Sequence, residues 1–361
     1  MSKEKLGIGL MGAWQDHIYR FADCILTNGQ AKGNFRHWKQ AEYADCRIVS
    51  VWDDDQARGQ KLADHCGCPY FSDVEQFLAD PELDAVIMCA PTVDHGKYTV
   101  MAANAGKHVF MEKAPFVTLE DAYLAREAIR RNGVHYMVSS PMEKPRNRYV
   151  QQMIQSGVLG DISEIRFRLY DNFCIGRTEA VGIFNKEENG GGAMIDYGQH
   201  GVHITSWLLN ARPIRCSASF SYVTDFAKEH QIEDNATAIY EFEGGAIGVV
   251  ESGWCAPVHE CVLDVCGTKG TVHLIGDDKL HLPDGTTEDH DILTYTLDGQ
   301  NWVTVPESEF PAPTFHYPLR HWIEAILNDT PDDRQDIEEA VLWTEMLAAA
   351  YRSAGNTEPI L

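Results

Sequence analysis

The sequence predicts an α/β domain with a doubly wound parallel sheet, followed by an α+β domain with an open, mainly antiparallel sheet. In residues 1–140, short apolar runs alternate with helical stretches, which is the order of βαβ units. From about residue 160, long runs of alternating polar and apolar residues follow, as in an antiparallel sheet. At 361 residues the chain has the length of two domains, which we place at 1–140 and 141–361.

The first domain is predicted to contain five strands and five helices. The strands are expected at Lys5–Met11, Arg47–Trp52, Ala85–Cys89, His108–Met111 and His135–Val138. The helices are expected at Asp16–Thr27, Gln56–His65, Val74–Ala79, Lys97–Ala105 and Leu119–Arg131. In such a sheet a ligand binds beyond the carboxyl ends of the strands.

The second domain is predicted from four alternating runs and three turn pairs. The runs are residues 163–170, 214–222, 235–242 and 246–254, and the turn pairs are Gly244-Gly245, Asp284-Gly285 and Asp298-Gly299. One helix is expected at Ala193–Leu209, and a helical tail from Pro318.

Composition excludes several classes of function. The net charge of −24, from 54 acidic and 30 basic residues, would repel a polyphosphate, so no nucleic acid partner is expected. No run approaches the roughly 18 apolar residues of a membrane span, and the N-terminus lacks an apolar export segment. We therefore expect a cytoplasmic protein without a membrane partner. Its ten cysteines include no paired CxxC motif, so neither disulfides nor a structural metal is expected.

A nucleotide site is predicted at the end of the first strand. Gly12 follows the strand as the first turn glycine, although Trp14 stands where a later glycine is usual. Asp53 ends the second strand, where a carboxylate can accept from a ribose 2′-hydroxyl and would repel a 2′-phosphate, which favours NAD over NADP. Alternatively, Asp53, Asp54 and Asp55 cap the next helix. We favour the ribose role for Asp53 and the capping role for the other two.

Two further segments contain candidate catalytic groups. Lys113 follows an apolar strand, which places it at the carboxyl edge of the sheet, unless it is a surface lysine paired with Glu112. In the second domain Asp196, His200, His203 and Trp207 are spaced to form one stripe of a helix. The preceding run Gly190–Gly192 allows close approach to another backbone. Acid-base chemistry and metal binding would both explain the stripe.

The segments AGKHVFMEKAP, GGGAMIDYGQH and AAAYRSAG together resemble the Gfo/Idh/MocA family, the glucose-fructose oxidoreductase and inositol dehydrogenase group. The resemblance implies an NAD-binding Rossmann domain, then an α+β domain for substrate binding and oligomerisation, in a homo-oligomer such as a dimer or tetramer. It implies catalytic roles for Lys113, His200 and Asp196. The cofactor-binding residues predicted at the nucleotide site above are Gly12, Ala13, Trp14 and Asp53, and the resemblance adds Cys89, Pro91, Thr92, His95, Glu112 and Lys113. The implied substrate-binding residues are Lys113, Asp196, His200 and His203.

Three positions depart from the family pattern. Ala114 replaces the proline after the lysine, and His203 stands where an aspartate is usual. The turn glycines after Gly12 are depleted. We therefore expect a looser turn after Lys113 and a substrate pocket of altered polarity.

The resemblance also implies a reaction. We expect NAD-dependent oxidation of a ring hydroxyl, at a position such as C3, of a sugar, glycoside or cyclitol, with Lys113 and His200 meeting over the nicotinamide from two domains. His200, oriented by Asp196, is favoured as the base because its unperturbed pKa of about 6.5 needs less shifting than that of lysine. Candidate sugar contacts, or alternatively packing residues, are Trp207, Trp254, Tyr317, His259, His316 and Arg320.

Three alternatives remain open from the sequence. The first is a redox-neutral glycosidase or epimerase that holds and recycles NAD. The second is a divalent-metal enzyme that uses Asp196, His200 and His203. The third, a non-catalytic NAD sensor, is disfavoured by the presence of Lys113 and His200.

Overall fold

The computed structural model describes the chain except residues 1–4, 30–41, 282–286, 312–317, 332–333 and 356–361, and it describes only the backbone of the rest of 277–291. The chain forms two compact units. Unit 1 comprises Met1–Pro141, Glu187–Gly190 and Phe315–Thr344, and unit 2 comprises Met142–Lys186, Gly191–Thr314 and Glu345–Leu361. The functional division at residue 140 stays a prediction.

Unit 1 is built on a six-stranded parallel sheet. Its strands are β1 Leu6–Met11, β2 Cys46–Trp52, β3 Tyr70–Phe71, β4 Ala85–Met88, β5 His108–Glu112 and β6 Tyr136–Ser139. They are arranged in the order β3-β2-β1-β4-β5-β6, and every neighbouring pair is parallel. The doubly wound sheet is thereby confirmed, with the strand order reversing between β1 and β4. All four residues of β4 and of β6 are buried, as expected for a sheet covered on both faces.

The helices of unit 1 begin and end at residues suited to those positions. They are α1 His17–Leu26, α2 Gln56–Cys66, α3 Val74–Leu78, α4 His95–Asn104, α5 Leu119–Asn132 and, later in the chain, α10 Pro318–Asn328. Asp73 and Thr118 cap α3 and α5 through their side chains, and left-handed glycines Gly67 and Gly133 end α2 and α5. Trp322 of α10 is fully buried in the core of this unit.

Unit 2 is built on an eight-stranded sheet. Its strands are β7 Ile162–Tyr170, β8 Pro213–Ser221, β9 Asn235–Phe242, β10 Ile247–Gly253, β11 Glu260–Gly267, β12 Thr271–His281, β13 Thr287–Thr296 and β14 Val303–Val305. The order is β14-β13-β12-β11-β7-β10-β9-β8, and among the described strands of this sheet only β7 and β10 pair in parallel. The predicted open, mainly antiparallel sheet is confirmed.

The remaining helices are α6 Pro145–Gln155, α7 Lys186–Asn189, α8 Gln199–Leu209, α9 Asp225–His230 and α11 Ile337–Ser353, with a π turn at Met194–Gly198 before α8. Gly244 and Gly245 have positive φ between β9 and β10, and Gly299 has positive φ between β13 and β14. These two turn pairs are confirmed. The pair Asp284-Gly285 lies outside the described residues.

Two further expectations concern disulfide bonds and membrane spans. All ten cysteines are free thiols. Within the parts of the chain that the structure describes, no helix is both long enough and apolar enough to cross a membrane.

Candidate active site

The turn after β1 is built around Gly12, as the sequence predicts. Gly12 has a φ of +90°, and a Cβ at this position would lie 2.7 Å from the backbone of Ala90. Because Ala90 follows β4, the glycine lets the ends of β1 and β4 approach where the strand order reverses. This switch point is where open α/β sheets bind their ligands.

Asp53 is a buried carboxylate immediately after β2. Its Oδ2 accepts the Ala13 N–H at 2.6 Å and its Oδ1 accepts the Asp55 N–H at 2.7 Å. The Arg58 guanidinium donates to Oδ1 at 2.9 Å. Burial raises the pKa of Asp53, and the hydrogen bonds from Arg58, Ala13 and Asp55 oppose that shift. Asp53 therefore fixes the first β–α turn, and its ribose role stays a prediction.

The two neighbouring aspartates differ from each other. Asp55 is the N-cap of α2, because its side chain accepts the Arg58 N–H at 2.9 Å, which confirms its predicted capping role. The capping role predicted for Asp54 is wrong. Its carboxylate instead forms an exposed ion pair with the Arg58 side chain at 2.8 Å.

Trp14 and Thr92 are both bonded to the short segment Glu187–Gly190 of the same unit. The Trp14 indole Nε1 donates to Glu188 Oε2 at 2.6 Å. The Thr92 hydroxyl donates to Asn189 Oδ1 at 2.9 Å. Trp14 belongs to the loop after β1 and Thr92 to the loop after β4, so one segment joins the two loops that flank the switch point.

His95 joins the loops after β4 and β5, and Cys89 joins the end of β4 to the loop after β1. The fully buried His95 ring lies 2.9 Å from the Ala114 carbonyl oxygen through Nδ1 and 3.1 Å from the Ala90 carbonyl oxygen through Nε2. Burial lowers the pKa of His95, so the neutral ring donates to one of these carbonyls. The Cys89 carbonyl accepts the Trp14 N–H at 3.2 Å, and its thiol is fully buried. Their predicted cofactor contacts, like that of the adjacent Pro91, stay predictions.

Glu112 and Lys113 lie at the carboxyl end of β5. Glu112 Oε1 is 3.0 Å from Nδ1 of His17, the first residue of α1. Among the described residues, Glu112 Oε2 is buried and has no hydrogen-bond partner. A buried carboxylate oxygen without a donor is costly, which points to a donor from a ligand. Lys113 is half-buried at the predicted edge of the sheet, and the peptide bond between Lys113 and Ala114 is cis.

The chain enters the helix of unit 2 through two closely packed glycines. A Cβ at Gly191 would lie 2.0 Å from the Tyr351 hydroxyl, and one at Gly192 would lie 2.1 Å from the Glu233 carbonyl oxygen. The predicted close approach to another backbone is therefore confirmed at Gly192.

The predicted helix at Ala193–Leu209 begins with a wider π turn. Asp196 lies on that turn, whereas His200, His203 and Trp207 lie on α8. The prediction of one continuous α-helix is therefore wrong at Met194–Gly198, because a π turn holds more residues than an α turn. The alignment of Asp196 with His200, His203 and Trp207 stays a prediction. Asp196 and His200 are both buried, at 4% and 7% exposure. A bond from Asp196 to His200 stays a prediction.

His203 is fully buried in unit 2. Its Nε2 lies 3.9 Å from Oε1 of Glu143, whose carboxylate also pairs with Arg148. Burial lowers the pKa of His203 to about 3, so the ring is neutral at neutral pH. A substrate contact through this side chain stays a prediction.

The candidate sugar contacts do not all belong to one unit. Trp254 is fully buried in the core of unit 2, where its ring packs 5.2 Å from that of Phe184. Arg320 belongs to unit 1 and pairs with both carboxylate oxygens of Asp45 at 2.7 and 2.8 Å. Both residues thus have structural contacts, which is the alternative to sugar binding given above. Tyr317 and His316 lie outside the described residues.

The last two candidates have polar or charged neighbours in unit 2. His259 Nδ1 is 2.8 Å from Asp171 Oδ2, which also accepts from the Tyr197 hydroxyl at 3.2 Å. Trp207 lies under the Arg148 guanidinium, at 5.9 Å from ring centroid to Cζ.

Several residues of the site were not found by sequence reasoning. They are His17, Arg58, Glu143, Glu188, Asn189, Glu233 and Tyr351. Most are single charged or polar residues whose partners lie far along the chain, and no local pattern marks them. Only the closing AAAYRSAG segment, which contains Tyr351, gave a signal. Among the described residues, no three His, Cys, Asp or Glu side chains form a group suited to a metal ion, so the metal alternative gains no support.

The edge of unit 1 fits a dinucleotide. It combines a 3-2-1-4-5-6 sheet with a left-handed turn glycine, a carboxylate after the second strand and a buried Glu112 oxygen that lacks a partner among the described residues. The N–H groups of Ala13 and Trp14 are bonded within the unit, to the Asp53 carboxylate and the Cys89 carbonyl. These features define a nucleotide-binding protein of the Rossmann class.

Comparisons with known proteins identify the family. Residues 27–140 match the oxidoreductase family with an NAD-binding Rossmann fold, and residues 147–273 match the GFO/IDH/MocA C-terminal domain. The chain belongs to the Gfo/Idh/MocA family of NAD-binding oxidoreductases.

Curated relatives agree with this assignment, and a solved structure shares the fold. The chain is 27% identical over 322 residues to scyllo-inositol 2-dehydrogenase (NAD⁺) of Bacillus subtilis, covering 87% of this chain and 88% of that protein. It is 25% identical over 336 residues to D-glucoside 3-dehydrogenase of Escherichia coli, covering 86% and 88%. The fold matches aldose-aldose oxidoreductase from Caulobacter crescentus with a TM-score of 0.76 at 20% identity, covering 97% and 98%.

Proposed function

We propose that this protein is an NAD-dependent dehydrogenase that oxidises a ring hydroxyl of a cyclitol, sugar or glycoside to a ketone, at a position such as C3 of a glycoside. The observation that carries the proposal is the end of β5, where Lys113 follows a glutamate with one buried oxygen that has no hydrogen-bond partner in the described part of the chain. Relatives that act on scyllo-inositol and on the 3-position of glucosides support the substrate class. A homo-oligomer and a cytoplasmic location are part of the same proposal.

Two side chains are proposed to act on the hydroxyl. His200 accepts the hydroxyl proton as the carbon-bound hydrogen leaves as hydride, and the Lys113 ammonium group stabilises the alkoxide that develops. Asp196, four residues before His200, is proposed to orient the imidazole. When bound, NAD supplies the hydride acceptor, and Asp53 and Glu112 are the carboxylates proposed to hold its two riboses. The products are ketone, NADH and one proton.

The proposal is tested with purified protein, NAD and a panel of scyllo-inositol, myo-inositol, methyl glucosides and free aldoses. We expect NADH absorbance to increase in step with ketone formation for at least one compound. No NADH and no ketone with any compound, at NAD concentrations shown to bind, would contradict it.

A second candidate function is a redox-neutral reaction in which NAD is retained and recycled. The two hydrogen bonds from Trp14 and Thr92 to the segment Glu187–Gly190 favour it, because they tie together the loops at the predicted cofactor site. This candidate predicts nucleotide that copurifies with the protein and product formed in excess of NADH. Stoichiometric NADH would exclude it.

A further inference from the structure

A buried carboxylate from elsewhere in unit 2 receives the N–H groups at the start of the helix that contains Asp196 and His200. Glu233 Oε1 accepts the N–H of Gly192 at 2.8 Å and that of Met194 at 3.3 Å. The Glu233 carbonyl oxygen accepts the intervening N–H, from Ala193, at 2.9 Å. Three consecutive amides, which a helix start leaves without helical acceptors, are thus bonded to one residue.

Tyr351 of α11 completes this anchor. Its hydroxyl donates to the same Glu233 Oε1 in a short hydrogen bond, and both side chains are buried, at 3% and 2% exposure. Burial raises the pKa of Glu233, and the donors from Tyr351, Gly192 and Met194 oppose the shift. Gly191 has no side chain because the Tyr351 hydroxyl occupies the space that a Cβ would need.

The anchor is coupled to the candidate catalytic residues through the backbone. The Asp196 N–H donates to the Gly192 carbonyl at 3.1 Å, so a shift of Gly192 displaces the turn on which Asp196 lies. His200 is the second residue of α8, which directly follows that turn. Neither Glu233 nor Tyr351 belongs to the proposed set of groups that touch the substrate or NAD.

We propose that Glu233 and Tyr351 are positioning residues, which fix the π turn and thereby the orientation of Asp196 and His200 toward the substrate. The contribution to turnover rests on the proposed function, whereas the anchoring of the turn does not. A misplaced catalytic group lowers the rate of the chemical step while leaving cofactor binding in the other unit intact.

The test compares Tyr351→Phe with Tyr240→Phe. The Tyr240 hydroxyl is also buried and also bonds to α11, donating to the Met346 carbonyl at 2.9 Å, but it has no bond to Glu233 in the described structure. Both variants lose one buried hydroxyl, so a purely structural role predicts the same behaviour for both.

Hydrogen exchange is measured first because it needs no substrate. We expect the amides of residues 192–196 to exchange faster in Tyr351→Phe and Glu233→Leu than in the wild type, and to be unchanged in Tyr240→Phe. If Tyr351→Phe and Tyr240→Phe exchange alike in this segment, the anchor does not exist. Hydrogen exchange can be measured even if no substrate is found. A failure of the anchor can therefore be distinguished from a failure of the proposed function.

Turnover is measured with whichever compound of the panel reduces NAD. We expect Tyr351→Phe to lower kcat at least about tenfold with an unchanged KM for NAD, and Tyr240→Phe to stay near the wild type. Glu233→Gln keeps an oxygen for all three donors, so we expect its kcat to exceed that of Glu233→Leu. Equal kcat values for Tyr351→Phe and Tyr240→Phe would overturn the positioning role.

Discussion

Asp53 combines a structural contact with a proposed recognition role. Its carboxylate holds the Ala13 N–H and the Arg58 side chain, and it lies at the strand end where Rossmann proteins distinguish the two nicotinamide cofactors. A negative charge here repels a 2′-phosphate, and its removal leaves Arg58 with the exposed Asp54 as its acidic partner, where it can also attract a phosphate.

We predict that Asp53→Ala weakens NAD binding by about tenfold or more and shifts the NAD to NADP affinity ratio toward NADP. Asp54→Ala, which also removes a carboxylate paired with Arg58, is the matched control and should leave the ratio unchanged. Titration of both cofactors by intrinsic fluorescence measures the ratio. An unchanged ratio in Asp53→Ala would rule out the ribose role.

His203 makes the stability of the fold sensitive to acid. Burial lowers its pKa from 6.5 in the unfolded chain to about 3 in the folded chain. Below pH 6.5 the unfolded chain therefore binds a proton that the folded chain does not, so the free energy of unfolding falls as pH falls toward 3. The slope for one such proton is about 1.4 kcal/mol per pH unit.

We predict that His203→Gln reduces this acid sensitivity, with a smaller decrease in the free energy of unfolding between pH 6.5 and 4.5 than in the wild type. His230→Gln, which changes a partly exposed histidine of α9 in the same unit, should keep the wild-type slope. Urea titrations at several pH values measure it. Equal slopes for His203→Gln and the wild type would show that His203 is not the group responsible.

Residues whose roles depend on local backbone geometry were predictable, and residues whose roles depend on distant partners were not. Gly12 and Gly192 were placed correctly because a turn and a close approach both require glycine. The bond between Glu233 and Tyr351 joins positions 118 apart, and that between His17 and Glu112 joins positions 95 apart. Such pairs are fixed only when the sheets have assembled.

At the scale of elements, the long periodic segments agree with prediction. Strands and helices of unit 1 begin and end within two residues of their predicted bounds, because apolar periodicity and capping residues both mark them. The two-residue strand β3 is too short to show a period. The π turn was missed because its sequence also fits an α-helix, and the anchor that fixes its start comes from Glu233.

The segment Glu187–Gly190 is proposed to help retain the cofactor, because it is bonded to both loops at the predicted cofactor site. Trp14→Phe keeps an aromatic ring, although a smaller one, but removes the N–H that donates to Glu188, and Glu188→Gln weakens the same bond. We predict that both variants release bound NADH several-fold faster, up to about tenfold, in stopped-flow displacement. The control is Glu187→Gln, an exposed change in the same helix. Unaltered release in both variants would mean that the segment does not retain the cofactor.

At the scale of the whole molecule, the class of fold and the family were predictable, and assembly was not. Isoleucines 214, 239, 247, 275 and 292 of the unit 2 sheet are exposed, and Ile275 and Ile292 are cross-strand partners. An exposed apolar sheet face is typical of an interface, and a homo-oligomer stays a prediction.

In the proposed reaction, His200 of unit 2 accepts the proton and Lys113 of unit 1 stabilises the alkoxide. Lys113→Met and His200→Asn remove these groups, whereas Lys97→Met and His230→Asn remove a lysine and a histidine of the same units that have no proposed role. Each variant is first shown to bind NAD.

The most direct measurement is the rate of a single turnover, with NAD bound and a substrate from the panel in excess, followed by NADH absorbance. We predict that Lys113→Met and His200→Asn each slow hydride transfer by about 10²–10⁴-fold, and that both control variants keep the wild-type rate. Hydride transfer at the wild-type rate in both Lys113→Met and His200→Asn would contradict the account.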